Sequence, residues 1–126
     1  MSNSKSILVV EDSIEIQEVL KMILEHQGFG VSIAGTGAAA IEELNSNTQF
    51  SLMLLDLTLP DMSGFELLEK IENKRLGESV PIILCSAASE IKQMKLPGRV
   101  AGILPKPFEI DQLLSLVEKH VIYAKQ

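Results

Sequence analysis

The chain has 126 residues, 46% of them hydrophobic and 22% charged, the balance of a globular domain large enough to bury a core without disulfide or metal staples. Its 17 acidic and 11 basic residues leave a net charge of −6, which argues against direct nucleic-acid binding, where a basic face is the rule. No apolar run approaches the roughly 20 residues of a membrane span and "MSNSKS" lacks a signal-peptide core, so a cytoplasmic protein of one domain is expected over residues 1–126, with a core of about 5–123.

The first strand is predicted over 6–10, "SILVV", whose unbroken apolarity is that of a strand covered on both faces. Residues 13–27 carry Ile16, Leu20, Ile23 and Leu24 at helical spacing, and Gly28 stops that helix. The second strand, "GVSIA" (30–34), leads into a short helix over 36–46. The third, "SLMLL" (51–55), precedes a helix over 63–73 opened by Ser63 and Glu66 in a capping-box arrangement. The fourth, "PIILC" (81–85), contains the lone Cys85, expected to be a buried, inert thiol in a reducing cytosol. Residues 87–99 have little apolar periodicity before Pro97-Gly98 and predict only a short, frayed helix. The fifth strand, "VAGIL" (100–104), leads to a last helix over 109–123, with Ile110, Leu113, Leu114, Val117 and Val121 on its stripe and Tyr123 at its end. Five strand–helix units predict an α/β fold with a parallel sheet and right-handed connections.

In an open parallel sheet, ligands bind beyond the carboxyl ends of the strands. The first strand ends in Glu11-Asp12, the third in Asp56, the fourth in Ser86 and the fifth in Lys106 within "PKPF". Any one of these alone would be a cap or a solvated loop residue. Asp12 is placed to cap the first helix, with Glu15 in its first turn, and Ser86 to sit in a turn. Together they bring three carboxylates, a hydroxyl and an ammonium to one edge of the sheet. The carboxylates would raise one another's pKa unless a cation intervened. Hard oxygens suit Mg²⁺, which keeps several waters and takes one or two protein carboxylates. Beside such an ion Asp56 is ionised and able to attack phosphorus, while Lys106 and the Ser86 hydroxyl neutralise the phosphoryl oxygens.

The motifs "ILVVEDS", "LMLLDLTLPDMSGFELL", "PIILCSA" and "LPKPF", in this order and spacing, resemble the receiver domain of two-component response regulators over nearly the whole chain. The resemblance implies a doubly wound, flavodoxin-like α/β fold: a five-stranded parallel sheet of order 2-1-3-4-5 with helices on both faces. It implies a phosphorylation switch or phosphorelay carrier that takes a phosphoryl group onto Asp56 from a histidine kinase or histidine phosphotransfer protein. Mg²⁺ would be held by Glu11, Asp12, Asp56 and the backbone carbonyl of Thr58. Ser86 and Lys106 would contact the phosphoryl group, and the Lys106–Pro107 bond would be cis, as is feasible before proline. Such a protein is no enzyme beyond self-phosphorylation and self-dephosphorylation, and is expected to be a monomer that binds neither nucleic acid nor membrane. A receiver fragment of a larger regulator or hybrid kinase would have the same sequence. Three departures stand out. Glu11 holds a position where Asp is commoner, the 20 positions from Ser86 to Lys106 shorten the fourth helical region, and Ile103 replaces an aromatic.

Two competing functions have sequence support. "GTGAAA" (35–40) follows a strand, opens a helix and matches the dinucleotide fingerprint, with Asp56 lying 19 positions after Gly37 where a ribose-binding acid belongs. That reading leaves Glu11, Asp12, Ser86 and Lys106 idle. An aspartyl phosphatase of the dehalogenase type needs a general-acid Asp two positions after its nucleophile, and Thr58 stands there. His26 and His120 fall near helix C-termini, where the helix dipole accounts for them. Met22, Met53, Met62 and Met94 are scattered as core filler or contact surface.

Three further expectations concern signalling. Thr58 and Ala88 orient an attacking water poorly, so loss of the phosphoryl group should be slow. Ile14 and Met22 lie off the buried stripe of the first helix and, with Phe108, mark a docking patch. Ile103, stiff about χ1, should stay buried in both states of the switch and so mute the response on its face.

Overall fold

The computed structural model describes residues 5–87 and 98–121. Its strands are β1 (Ser6–Val10), β2 (Gly30–Ala34), β3 (Phe50–Asp56), β4 (Ile82–Ala87) and β5 (Val100–Lys106); its helices are α1 (Ile14–His26), α2 (Gly37–Leu44), α3 (Gly64–Asn73) and α4 (Ile110–His120). Every strand pair is parallel and the sheet order is β2-β1-β3-β4-β5, as the resemblance implied. Of the weak helix expected over 87–99, Ala87 belongs to β4 and residues 98–99 form a turn, while 88–97, with Ala88 and Met94, lie outside the described residues, as does Tyr123.

The unbroken apolarity of the strands is explained by two cores, one on each face. Side chains alternate across a strand, so Leu8, Val10, Met53, Leu55, Ile82 and Leu84 pack beneath α2 and α3. Ile7, Val9, Leu52, Leu54, Ile83 and Cys85 pack beneath α1 and α4 with Leu20, Leu24, Leu113 and Val117. Every residue of β3, the central strand, is buried. Each fully buried Leu or Ile contributes about 1.5–3 kcal/mol relative to exposure, so the sheet interior is where most of the stabilising burial lies.

The helices start and stop for local reasons. Ser13, not Asp12, is the N-cap of α1, its hydroxyl accepting from the Ile16 amide; Asp12 thereby stays free of the helix and is exposed. Gly28 has φ +96°, a left-handed geometry that costs glycine little, and ends α1 as expected. Ser63 caps α3 through the Glu66 amide. Helix α4 opens on a capping box between Glu109 and Gln112 and stops at His120, because Val121 is extended.

The main difference from expectation lies at the strand ends. β4 and β5 run to Ala87 and Lys106, two residues beyond their apolar runs, and β3 includes Asp56. Pairing uses the backbone alone, so polar residues stay in the ladder: Asp56 sits beside Cys85, Ser86 beside Pro105 and Ala87 beside Lys106. A second difference concerns Ile103, which is 36% exposed, not buried. Leu104 faces α4, so Ile103 turns to the opposite face of β5, an edge strand. The expectation of a muted response on that face loses its premise.

Gly64 joins the fold to its functional edge. A β-carbon there would lie 2.8 Å from Leu57 Cα and 3.1 Å from the Asp56 carbonyl oxygen. Gly64→Ala improves helix propensity by up to about 1 kcal/mol, but overpacking against backbone costs about 1–3 kcal/mol. Urea unfolding of Gly64→Ala should show a net loss of stability; a gain would mean that the close approach is relieved at no cost.

Candidate functional site

The polar strand ends converge as the sequence indicated. Glu11 follows β1 directly, its amide donating to the Ala34 carbonyl at 3.0 Å and extending the β1–β2 pairing. Its side chain is buried, with Oε2 accepting from the Ser13 amide at 3.0 Å. Asp56 is buried at the end of β3, and its Oδ1 accepts from the Thr58 amide at 3.2 Å. Lys106 reaches in from β5, its Nζ lying 3.1 Å from Glu11 Oε1 and 3.1 Å from Asp56 Oδ2. Glu11, Asp12 and Asp56 each offer a carboxylate oxygen within 4.8 Å of the others. Ser86 is buried one residue beyond the partner of Asp56. The Lys106–Pro107 peptide is cis, as expected.

Burial and repulsion set the electrostatics. Burial raises the pKa of Glu11, reinforced by Asp56 and opposed in part by the Ser13 amide and Lys106. Burial works against the Lys106 charge too, but hydrogen bonds to Asp56 and Glu11 outweigh it, and the ammonium is held above its ordinary value. Three carboxylates against one ammonium leave a formal charge of −2, the complement of one divalent cation. Hard oxygen donors in a cluster this tight fit Mg²⁺ rather than a thiolate-seeking metal. Cys85, beside Asp56 in the sheet, is excluded from the chemistry: burial pushes its thiol up to about 12.

The chain matches the family described as the response regulator receiver domain over residues 7–118. It belongs to that family. The receiver is 35% identical over 114 residues to the response regulator ArlR of Staphylococcus saprophyticus, covering 88% of this chain and 50% of that one. Among solved structures it is similar to a CheY-like receiver domain protein from Methanospirillum hungatei, with a TM-score of 0.81, 33% identity and 92% of each chain covered. It is similar as well to the response regulator TrrA of Thermotoga maritima in complex with Mg²⁺ and beryllium fluoride (TM-score 0.80, 30% identity, 93% of this chain and 99% of that one). The chain spans about half the length of the curated relatives it matches. Among the described residues, no helix of the receiver is long and apolar enough to cross a membrane.

The dinucleotide fingerprint has another use in this receiver. The N–H groups of Gly37 and Ala38, where a pyrophosphate would sit, donate to Asp61 Oδ1 at 2.8 Å and Oδ2 at 3.0 Å. Met62 lies against Gly37, where a β-carbon would come within 2.5 Å of its sulfur. The position is filled by the protein itself. Asp61 is thus a residue that sequence reasoning passed over. The available signal was weak: α2 has no acidic residue in its first turn, so the positive end of its dipole wants a carboxylate from elsewhere. Gln17, whose side-chain amide donates to the Glu11 carbonyl at 2.5 Å, had no signal at all.

Those helix amides lower the pKa of Asp61 from its ordinary 3.8. A carboxylate with a depressed folded pKa contributes stability that is present above its unfolded value and lost as pH falls through the folded one. Asp61→Asn should therefore be less stable than the native chain at every pH above about 3.8, with the gap closing below it. Denaturant unfolding at a series of pH values measures this; a gap independent of pH would assign the loss to packing.

Proposed function

We propose that the domain accepts a phosphoryl group on Asp56 from a phosphohistidine donor, with Mg²⁺, and acts as a switch or relay carrier. The observation that carries this reading is the Lys106 ammonium shared between Glu11 and Asp56 at 3.1 Å each, beside the three-carboxylate cluster. An Asp56 carboxylate oxygen attacks the phosphorus, the O–P bond forms as the donor's N–P bond breaks, and the imidazole leaves with the electron pair. Lys106 is already hydrogen-bonded to the acceptor and offers positive charge to the phosphoryl oxygens. Ser86, at the end of β4, is the candidate hydroxyl partner for them. Glu11, Asp12, Asp56 and the Thr58 carbonyl would hold Mg²⁺, which supplies the remaining charge neutralisation. The chemistry ends in hydrolysis of the aspartyl phosphate, so the domain turns over no separate substrate.

The phosphodonor docks, in this reading, beside α1. Ile14 and Met22 are 68% and 65% exposed, as the pattern of that helix suggested. Val19, Ile16 and Phe108 line an apolar cleft of about 510 Å³ that reaches Lys106. Such a patch at the mouth of a site suits a protein partner.

A second reading concerns context. Matched relatives twice the span of this chain include a transcriptional regulatory protein of Haemophilus influenzae, a CpxR homolog, which favours a role as the receiver module of a longer regulator. Both readings place the same chemistry on Asp56.

Incubation with acetyl phosphate and Mg²⁺ should label the native domain and leave Asp56→Asn unlabelled by intact-mass measurement. A base-stable label persisting in Asp56→Asn would mean another acceptor. The double substitution Ile14→Ser, Met22→Ser should slow transfer from a phosphorylated histidine protein about tenfold, the loss of roughly 1.4 kcal/mol of docking, and leave acetyl phosphate labelling unchanged. Equal rates from the protein donor would remove α1 from the docking surface.

A further inference from the structure

We propose that Asp61 is a positioning residue for the metal-binding loop, resting on the receiver reading above: it tethers the loop after β3 to the N-terminus of α2 and so holds Thr58 where its carbonyl serves the cation. The loop runs from Leu57 to Ser63 between β3 and α3. Its neck is closed by the Gly64 amide donating to the Leu57 carbonyl at 2.8 Å, by a bridge between Thr58 and Ser63, and by the Thr58 amide on Asp56. Thr58 stands in that neck. The far end of the loop is held from outside. Leu59 is buried in the core, Met62 lies against Gly37, and the Asp61 carboxylate takes the Gly37 and Ala38 amides with one oxygen each.

Those two amides belong to the donors that a helix start leaves without intrahelical partners. Thr36 caps only the next one, its hydroxyl accepting from the Ala39 amide at 3.0 Å. A two-point attachment through Asp61 therefore costs α2 nothing and fixes the loop in two directions. Asp61 itself is exposed, and its hydrogen bonds go to α2, so it acts on the site only through the loop. Mg²⁺ is sensitive to such support, because it demands near-ideal octahedral geometry at about 2.0–2.1 Å and tolerates a misplaced carbonyl poorly. Coupling of this kind is reciprocal: a cation that fixes Thr58 should also tighten the Asp61 tether.

Mg²⁺ titration by calorimetry on the native domain, Asp61→Ala, Asp61→Asn, Thr36→Ala and Asp56→Asn tests the proposal, with thermal melts confirming that each is folded at the titration temperature. Asp61→Ala should weaken Mg²⁺ about tenfold, the low end for residues that orient metal ligands from behind. Asp61→Asn keeps one acceptor oxygen and should lie closer to the native value. Thr36→Ala uncaps the same helix without touching the tether and should bind normally. Native affinity in Asp61→Ala overturns the proposal. So does equal weakening in Asp61→Asn, which would assign the effect to lost charge, or in Thr36→Ala, which would assign it to a loosened helix. The native protein alone provides a further readout, since hydrogen exchange at the Gly37 and Ala38 amides should slow at saturating Mg²⁺, and unchanged exchange would also overturn it. Absence of Mg²⁺ binding by the native domain would instead overturn the Mg²⁺-dependent phosphoacceptor function proposed above, and this proposal with it.

Discussion

Two buried carboxylates and a third at the rim cannot share one end of a sheet without a cation, and Lys106 carries one to them on the last strand. Its ammonium is 3.1 Å from both Glu11 and Asp56. Unit charges about 4 Å apart interact by about 4 kcal/mol at an effective dielectric of 20, a large share of the 5–15 kcal/mol that a whole domain typically has to spare. The site is therefore an electrostatic balance still two charges short of neutral, and that deficit is what suits it to a divalent cation.

The sheet makes this balance possible. Parallel strands deliver their carboxyl ends to one edge, and the two apolar faces beneath α1 with α4 and α2 with α3 hold them there. The acidic and basic residues enter only where the apolar runs finish, yet the backbone ladder continues through Asp56, Ser86 and Lys106. Asp56, Ser86 and Lys106 are thus mounted on paired strands rather than on free loops, and rigid mounting is what placement to a fraction of an ångström requires. The edge strand β5 is the less constrained support: Ile103 stands partly in solvent, on the face opposite Leu104.

The loop after β3 borders the carboxylate cluster, with the Thr58 amide on Asp56. Gly64 lets it close against Leu57, and Asp61 anchors it to α2. One consequence is that a glycine-rich helix start able to cradle a phosphate in another fold is here engaged by its own chain. A short motif specifies a local geometry; what occupies that geometry depends on which distant segment the topology brings past it.

Strand runs, helix stripes and the polar residues at strand ends were legible in this sequence, because each depends on periodicity or on adjacency along the chain. Glu11, Asp12, Asp56, Ser86 and Lys106 could be nominated together because a parallel sheet puts its strand ends on one edge whatever the detailed packing. The side-chain partners were not legible. That Lys106 divides itself between Glu11 and Asp56, that Ser13 takes the cap Asp12 was placed to take, and that Asp61 closes the α2 terminus are contacts between chosen rotamers, across 95, 50 and 24 positions of sequence for Glu11–Lys106, Asp56–Lys106 and Gly37–Asp61. The exposure of Ile103 was beyond reach for the same reason: its residue type favours burial, but position on an edge strand decides which face is covered. Periodicity determined the elements and the edge where the polar residues gather; only tertiary packing decided which charges share a proton donor, because that depends on distances no local pattern encodes.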